Sequence, residues 1–313
     1  MPKTRHNFRY WSQMVFVAAI SAITAASSVD AAPYDIVVKG MKTKIRIGGY
    51  DYSLEGRLFR PEGEGRFPLV ILMHGSCGKR CRRKYPESRL ASPAIVFARS
   101  GYAAYTFNRI GYGNSDGFEW NDHQPFERTG GCSEQNFMQA ARDSGLQIRL
   151  VIEALTRQKL KYVEPGKILA VGQSGGGLAV FGLTEGPKPH GHLAGLRGVI
   201  STAGNRGASC AQGDFSGPTY FNENMVEMYK TFGRVSKTPA LMVYAINDPR
   251  TVRAASWRDA YNESGGKAKL VVLPELGSSP KQAHSFFSKE WSTIEWKPHF
   301  NAFLSSLGLP ELN

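Results

Sequence analysis

Gly172-Gln173-Ser174-Gly175-Gly176 constrains this chain more than any other stretch. It lies between an apolar run, Ile168-Leu169-Ala170-Val171, and Gly177-Leu178-Ala179-Val180-Phe181, which can continue as a helix. Strand, tight turn and helix in that order fit a serine held in a strained backbone conformation, its hydroxyl lifted above the end of a sheet. The residues two before and two after the serine must then lack side chains, which Gly172 and Gly176 satisfy. The backbone N–H of Gly175 is the expected donor to a developing oxyanion.

With 34 Gly in 313 residues, a chance Gly-x-Ser-x-Gly arises about 0.3 times per chain, so context must decide. A second match exists, Gly113-Asn114-Ser115-Asp116-Gly117, but it lies in a loop beyond Asn108-Arg109-Ile110-Gly111-Tyr112 with no helical pattern after it. Ser115 and Asp116 are read as loop structure.

The rest of the chain alternates strand and helix. Asp35–Val38, Lys44–Ile47 and Ser53–Phe59 read as short strands separated by glycine turns. Pro68-Leu69-Val70-Ile71-Leu72-Met73 is a continuous apolar run, the pattern of a buried parallel strand. It ends in His74-Gly75-Ser76-Cys77-Gly78. A small-residue loop after an early core strand supplies the second oxyanion N–H, placed at Ser76 with Cys77 as the alternative. His74 is read as shaping that loop.

A helix around Ala94–Ala98 and a strand over Tyr102–Phe107 follow. The loop from Asn108 to Gly131 carries Phe118, Trp120 and Phe126, which suit either a substrate pocket or loop packing. Phe137, Ala140, Ala141, Ile148, Val151, Ile152 and Leu155 share a helical face, with Pro165-Gly166 expected to end that helix. Further strands are expected at Leu196–Ser201, Pro239–Ile246 and Lys269–Leu273, with helices at Val252–Asn262 and Trp291–Leu307, the last limited or kinked by Pro298. The fold class expected is α/β, a doubly wound and mostly parallel sheet. Residues 32–313 form one domain in this reading, with residues 204–238 as a small cap insertion.

Lys3, Arg5 and Arg9 followed by an apolar stretch from Met14 to Ala26 read as a signal peptide, residues 1–31, cut between Ala31 and Ala32. The apolar run is short for a membrane anchor, so the mature protein is expected to be exported, periplasmic or secreted. Cys77, Cys81, Cys132 and Cys210 are an even set in such a compartment, and the pairing expected is Cys77–Cys81 with Cys132–Cys210. A metal at Cys77 and Cys81 is the minority reading, and none is expected. The formal charge of +13 becomes +11 once three basic residues and one acidic residue leave with the leader. This favours anionic surfaces in general. The run Lys79-Arg80-Cys81-Arg82-Arg83-Lys84 sits beside no nucleic-acid module, so it is read as a solvated loop.

A serine hydroxyl needs a histidine to accept its proton, and that histidine needs a carboxylate to hold its tautomer. Asp248 stands just beyond the apolar strand ending at Ile246, and His284 follows the last expected strand, giving the order Ser, Asp, His. His299 falls in the closing helix, His190 and His192 precede the acid, His123 sits in the aromatic loop, and Glu275 is too near His284 in sequence to be the first choice of acid.

His74-Gly75-Ser76-Cys77-Gly78, Gly172-Gln173-Ser174-Gly175-Gly176, Asp248-Pro249-Arg250-Thr251 and Ala283-His284-Ser285-Phe286-Phe287 resemble the motifs of the α/β-hydrolase superfamily, over essentially residues 50–307. The local flavour is similar to the dienelactone hydrolase-like branch. Members of that branch use a cysteine nucleophile where this chain has Ser174, which points to ordinary esters. The resemblance implies a carboxylic ester hydrolase with a small-molecule ester as substrate, needing no metal or organic cofactor. The alternatives are a peptidase or acyltransferase with the same residues, or a non-catalytic binding protein on this fold.

Overall fold

The computed structural model describes residues 33–76, 84, 86, 89–117, 134–157, 161–185, 192–205 and 219–313. These build a mixed eight-stranded sheet of order β1-β2-β4-β3-β5-β6-β7-β8. The strands are β1 (Ile36–Ile47), β2 (Tyr50–Pro61), β3 (Phe67–Met73), β4 (Ala103–Phe107), β5 (Val163–Gln173), β6 (Leu196–Thr202), β7 (Ala240–Ala245) and β8 (Ala268–Leu273). Strands β3 to β8 run parallel; at one edge β2 pairs antiparallel with β4 and β1 pairs antiparallel with β2, so only β2 runs against the rest.

The two strands expected at Asp35–Val38 and Lys44–Ile47 are one. β1 runs through Gly40, which pairs with Arg57, so no turn forms there. Pairing with β2 gives the inward-facing backbone groups of this stretch partners without a turn. The alternating burial of β1 fits this edge position, with Ile45 turned to the core and Lys44 and Arg46 to solvent. The central strands carry unbroken apolar runs because both of their faces are covered.

The helices are α1 (Ala91–Arg99), α2 (Glu134–Arg157), α3 (Gly175–Glu185), α4 (Thr219–Val235), α5 (Thr251–Glu263), the one-turn α6 (Pro280–His284) and α7 (Thr293–Ser306). Helix α3 packs directly on the sheet and under α2, so it is apolar nearly all round, and Gly176 to Thr184 are buried. Its crossing with α2 is close: a Cβ on Gly182 would fall 2.0 Å from the Ala141 carbonyl oxygen. Helix α7 lies against β6, where a Cβ on Gly198 would meet Leu307 at 2.5 Å.

Two expectations about element limits change. Pro165-Gly166 does not end α2, which is described only to Arg157; both residues lie inside β5. Helix α7 continues through Pro298, and two short 3₁₀ turns, Phe286–Ser288 and Glu290–Ser292, precede it. In the segment expected to be a cap, residues 219–235 form α4, which packs beside α2, α3 and α5 in the layer flanking the sheet. Its Tyr229 meets Phe181 edge-on, with ring centroids 4.9 Å apart, and stacks with Trp257 at 6.2 Å. Residues 206–218 of that segment lie outside the described residues, as do the leader and its cleavage point, residues 118–131 of the aromatic loop with Phe118, Trp120 and Phe126, and all four cysteines. Among the described residues no helix is long and apolar enough to cross a membrane.

Candidate active site

Ser174 occupies the turn between β5 and α3 with φ of 55°. Strain at a non-glycine residue is tolerated only where the surroundings over-determine it, and here they do. The Ser174 N–H donates to the Thr202 carbonyl at 2.9 Å, and the Ser174 carbonyl accepts from Leu178 and Asn205 N–H groups at 3.3 Å each. The turn is also too tight for side chains. A Cβ on Gly172 would fall 2.0 Å from the Gly176 carbonyl oxygen, and one on Gly176 would fall 2.3 Å from that of Met73. Ala203, at the end of β6, is a second non-glycine residue with positive φ, 48°, and its N–H is tied to the Val243 carbonyl at 2.8 Å. Nothing in the sequence marks it.

Asp248 follows β7 in a turn closed by its own N–H to the Ala245 carbonyl at 2.9 Å. His284 is not on an open loop; it ends the one-turn α6, whose Ser279 accepts from the Gln282 N–H. The Asn247 side chain joins the two segments, donating to the Leu276 carbonyl at 3.2 Å and accepting from the Leu276 N–H at 3.0 Å.

The structure brings Ser174, His284 and Asp248 into one hydrogen-bonded line. His284 Nδ1 lies 2.8 Å from Asp248 Oδ2, and Nε2 lies 2.9 Å from Ser174 Oγ. A carboxylate only accepts, so Nδ1 carries the proton and Nε2 is left to accept from the serine hydroxyl. The Asp248 side chain is 0% exposed and that of His284 19%. Burial alone would raise the Asp248 carboxyl, but the hydrogen bond and charge of His284 and the charge of Arg250 hold it below its ordinary value. Arg250 Nη1 contacts Asp248 Oδ1 at 2.9 Å, so both carboxylate oxygens are engaged.

The loop after β3 passes against the serine. A Cβ on Gly75 would fall 2.9 Å from Ser174 Cβ, and one on Gly175 would fall 3.3 Å from Ser76 N. His74 shapes this loop: its Nδ1 lies 2.7 Å from the Gly75 carbonyl oxygen, and its Nε2 accepts the Arg109 N–H at 3.1 Å. That pair of contacts defines a neutral ring with the proton on Nδ1. Cys77, the alternative donor, lies outside the described residues.

The other sequence candidates stand apart from this line. Ser115 Oγ donates to the Asn108 carbonyl and accepts from the Glu55 N–H, and Asp116 Oδ2 accepts from the Ser53 N–H. His192, Glu275 and His299 are exposed, while His123 and His190 lie outside the described residues. Among the described residues no cluster of His, Cys, Asp or Glu could hold a metal ion.

Sequence reasoning passed over three residues that hold the site. Arg250 was hidden in plain view, two positions from the acid it contacts. The Gln173 side-chain amide donates to the His284 carbonyl at 3.3 Å, tying the serine turn to the histidine segment. Arg109 is wholly buried beside Ser76, and a lone arginine in a glycine-rich loop gives no sign of that.

No protein-family model matches the chain. A curated Escherichia coli protein, described as an uncharacterized 31.7 kDa protein of the traX-finO intergenic region, is 42% identical over 57 residues, 18% of each chain. Solved structures match along most of the length. They include one from Klebsiella pneumoniae provisionally described as a dienelactone hydrolase, 17% identical, covering 87% of this chain and 99% of that one at a TM-score of 0.52. An esterase from Pyrococcus furiosus is 14% identical, with 86% and 92% of the chains covered and a TM-score of 0.54. Brefeldin A esterase, a bacterial homologue of human hormone-sensitive lipase, is 14% identical over 90% of this chain and 78% of its own, with a TM-score of 0.55. The chain has the α/β-hydrolase fold.

Proposed function

We propose that the protein is an exported serine hydrolase that cleaves carboxylic esters through an acyl-enzyme. The observation that carries this reading is the unbroken line from Ser174 Oγ through His284 to the buried Asp248, with distances of 2.9 and 2.8 Å. A carboxylate fixed on Nδ1 leaves Nε2 free to take the serine proton as Oγ attacks the acyl carbon. Negative charge then collects on the former carbonyl oxygen, and in this reading the N–H groups of Gly175 and Ser76 receive it. His284 returns the proton to the leaving alcohol. Water, deprotonated by the same Nε2, attacks the acyl carbon and releases the acid and the restored serine. None of these steps calls on a metal or organic cofactor.

Export rests on the amino-terminal pattern of Lys3, Arg5 and Arg9 before an apolar stretch. The protein would then act in the periplasm or outside the cell.

The test treats protein produced from the full chain, alongside Ser174→Ala, with a fluorophosphonate probe and a chain-length series of nitrophenyl esters. Labelling and turnover present in the wild type and absent in the variant are expected. Equal turnover in the two would remove Ser174 from the chemistry. Adding an alcohol or amine acceptor, or a peptide substrate, separates ester hydrolysis from acyl transfer and peptidase activity. A folded wild type that neither labels nor turns over any of these would leave a binding protein.

A further inference from the structure

The geometry points to the Ser76 side-chain hydroxyl as a further donor to the oxyanion, held and polarised from behind by the buried Arg109; this rests on the serine-hydrolase reading above. Arg109 is 0% exposed, and its guanidinium is aimed at the loop after β3, with Nη2 donating to Ser76 Oγ at 3.1 Å and to the Tyr112 hydroxyl at 3.3 Å. A guanidinium carries donors only, so it must take a lone pair of the Ser76 oxygen, and the Ser76 proton points away from it.

What lies on the other side of that oxygen is the backbone next to the nucleophile. A Cβ built on Gly175 would fall 2.4 Å from Ser76 Oγ, so the hydroxyl sits over the α-carbon whose N–H is the first oxyanion donor. One residue earlier the same loop runs against Ser174 itself, where a Cβ on Gly75 would fall 3.5 Å from Ser174 Oγ. The Ser76 nitrogen and Oγ thus both lie on the side of the loop facing Gly175, at 3.3 and 2.4 Å from a Cβ built on Gly175. A hydroxyl that accepts a charged hydrogen bond becomes a stronger donor in turn.

Arg109 touches none of the reacting atoms and is a positioning residue. It is itself well fixed. Its guanidinium carbon lies 4.8 Å from the Tyr112 ring centroid, and its N–H is held by His74. The neighbouring Asn108 and Asn114 side chains both donate to the Glu55 carboxylate on β2, at 2.8 and 2.7 Å. The loop that aims Arg109 is therefore anchored to the sheet.

The experiment uses protein from the full chain and compares Ser76→Ala, which keeps the N–H and removes the hydroxyl, with wild type, Arg109→Lys and the double variant. An isosteric pair, Ser76→Thr and Ser76→Val, differs only in the hydroxyl and serves if the alanine variant does not fold. Removing one oxyanion donor costs on the order of 10²- to 10³-fold in kcat, and for one donor among three the expected loss is about 10- to 100-fold. KM for a nitrophenyl ester should stay within about twofold, since the ground-state carbonyl does not use the donor fully. Ser76→Val should fall below Ser76→Thr by a similar factor. Arg109→Lys should slow the wild type but add less than about threefold to Ser76→Ala, as expected when one residue acts through the other. A Ser76→Ala kcat within twofold of wild type, equal rates for Thr and Val, or an equal Arg109→Lys penalty in both backgrounds would overturn the inference while Ser174-dependent turnover stood. Loss of Ser174-dependence in the wild type would take both readings down.

Discussion

Arg250 Nη1 stands 2.9 Å from Asp248 Oδ1, on the carboxylate oxygen that His284 does not use. The Arg250 side chain is 13% exposed and that of Asp248 is 0% exposed, so the contact is largely shielded from solvent. Asp248 is thereby a carboxylate with two cationic or potentially cationic partners, and its pKa is depressed in the folded state. A depressed folded pKa contributes stability that is present above the unfolded value, about 3.9, and is lost as the pH falls through the folded one. Arg250→Gln should therefore cost about 1.5–3 kcal/mol at neutral pH, the range for a hydrogen bond to a charged group. The gap from wild type should close as the pH drops below about 3.9. Thermal melts across pH 7 to pH 2 check this. A gap that stays constant into acid would mean that Arg250 stabilises the fold by packing and not through the aspartate.

The backbone of Ser174 gives a second test that is independent of substrate. Its φ of 55° lies in the left-handed region, which costs an L-residue roughly 1–2 kcal/mol. Ser174→Ala and Ser174→Gly both lose the hydroxyl and its contact with His284, so their difference isolates the strain. Glycine should be the more stable of the two by about 1 kcal/mol, the reverse of its usual order against alanine. Both should lose turnover by on the order of 10⁶-fold. Denaturant titrations of the two variants give the answer, and alanine being the more stable would mean that the turn relaxes in solution.

The serine turn also sets a limit on its neighbours. A methyl group at position 176 meets the Met73 carbonyl oxygen at 2.3 Å, and this is backbone that cannot rotate aside. Gly176→Ala should cost about 3 kcal/mol or more, the upper range for overpacking, and should remove fluorophosphonate labelling with it. Gly166→Ala is the control, since a Cβ there meets nothing within 4 Å; its melting temperature should stay close to that of wild type.

What could be read from the sequence follows from where the physics is local. The central strands were legible because burial on both faces demands unbroken apolar runs, as in Leu69–Met73 and Ala240–Ala245. The serine turn was legible because its steric demands fall on Gly172 and Gly176, both within two residues. Ser174, Asp248 and His284 could be named because they follow β5, β7 and β8 in that order along the chain. The rest depended on distance in the chain. Gly40 reads as a turn until β2 supplies its partner, and Pro165-Gly166 reads as a stop until β5 is seen to absorb both. The place of helix α4 rests on Tyr229 set against Phe181 and Trp257, 48 and 28 positions away. Arg109 and Gln173 are silent in the sequence, since their roles lie in contacts with Ser76 and with His284, 33 and 111 positions away.

The second Gly-x-Ser-x-Gly separates a motif from its context. Ser115 is buried, and its oxygen links the Asn108 carbonyl and the Glu55 N–H at 2.8 and 2.9 Å. Removing it strips one hydrogen bond from each of two backbone groups that knit the Asn108–Gly117 loop to β2. Leaving a buried partner unsatisfied costs roughly 1–3 kcal/mol, so Ser115→Ala should lower the melting temperature clearly. It should nonetheless keep fluorophosphonate labelling, because no histidine contacts Ser115 among the described residues and the probe requires an activated oxygen. The Glu55 carboxylate below this loop adds a pH signature. Its partial burial raises its pKa, but hydrogen bonds from Asn114 and Asn108 outweigh that and leave it lowered. The loop should thus be braced above the ordinary carboxylate range and loosen as the pH falls through the folded value of Glu55, with the amides of Asn108 and Asn114 losing protection against hydrogen exchange, relative to their intrinsic rates, in that window. Exchange at Asn114 should respond most, since its N–H bonds the carboxylate directly at 3.0 Å. Labelling lost in Ser115→Ala while the fold is intact would move the reactive serine from 174 to 115.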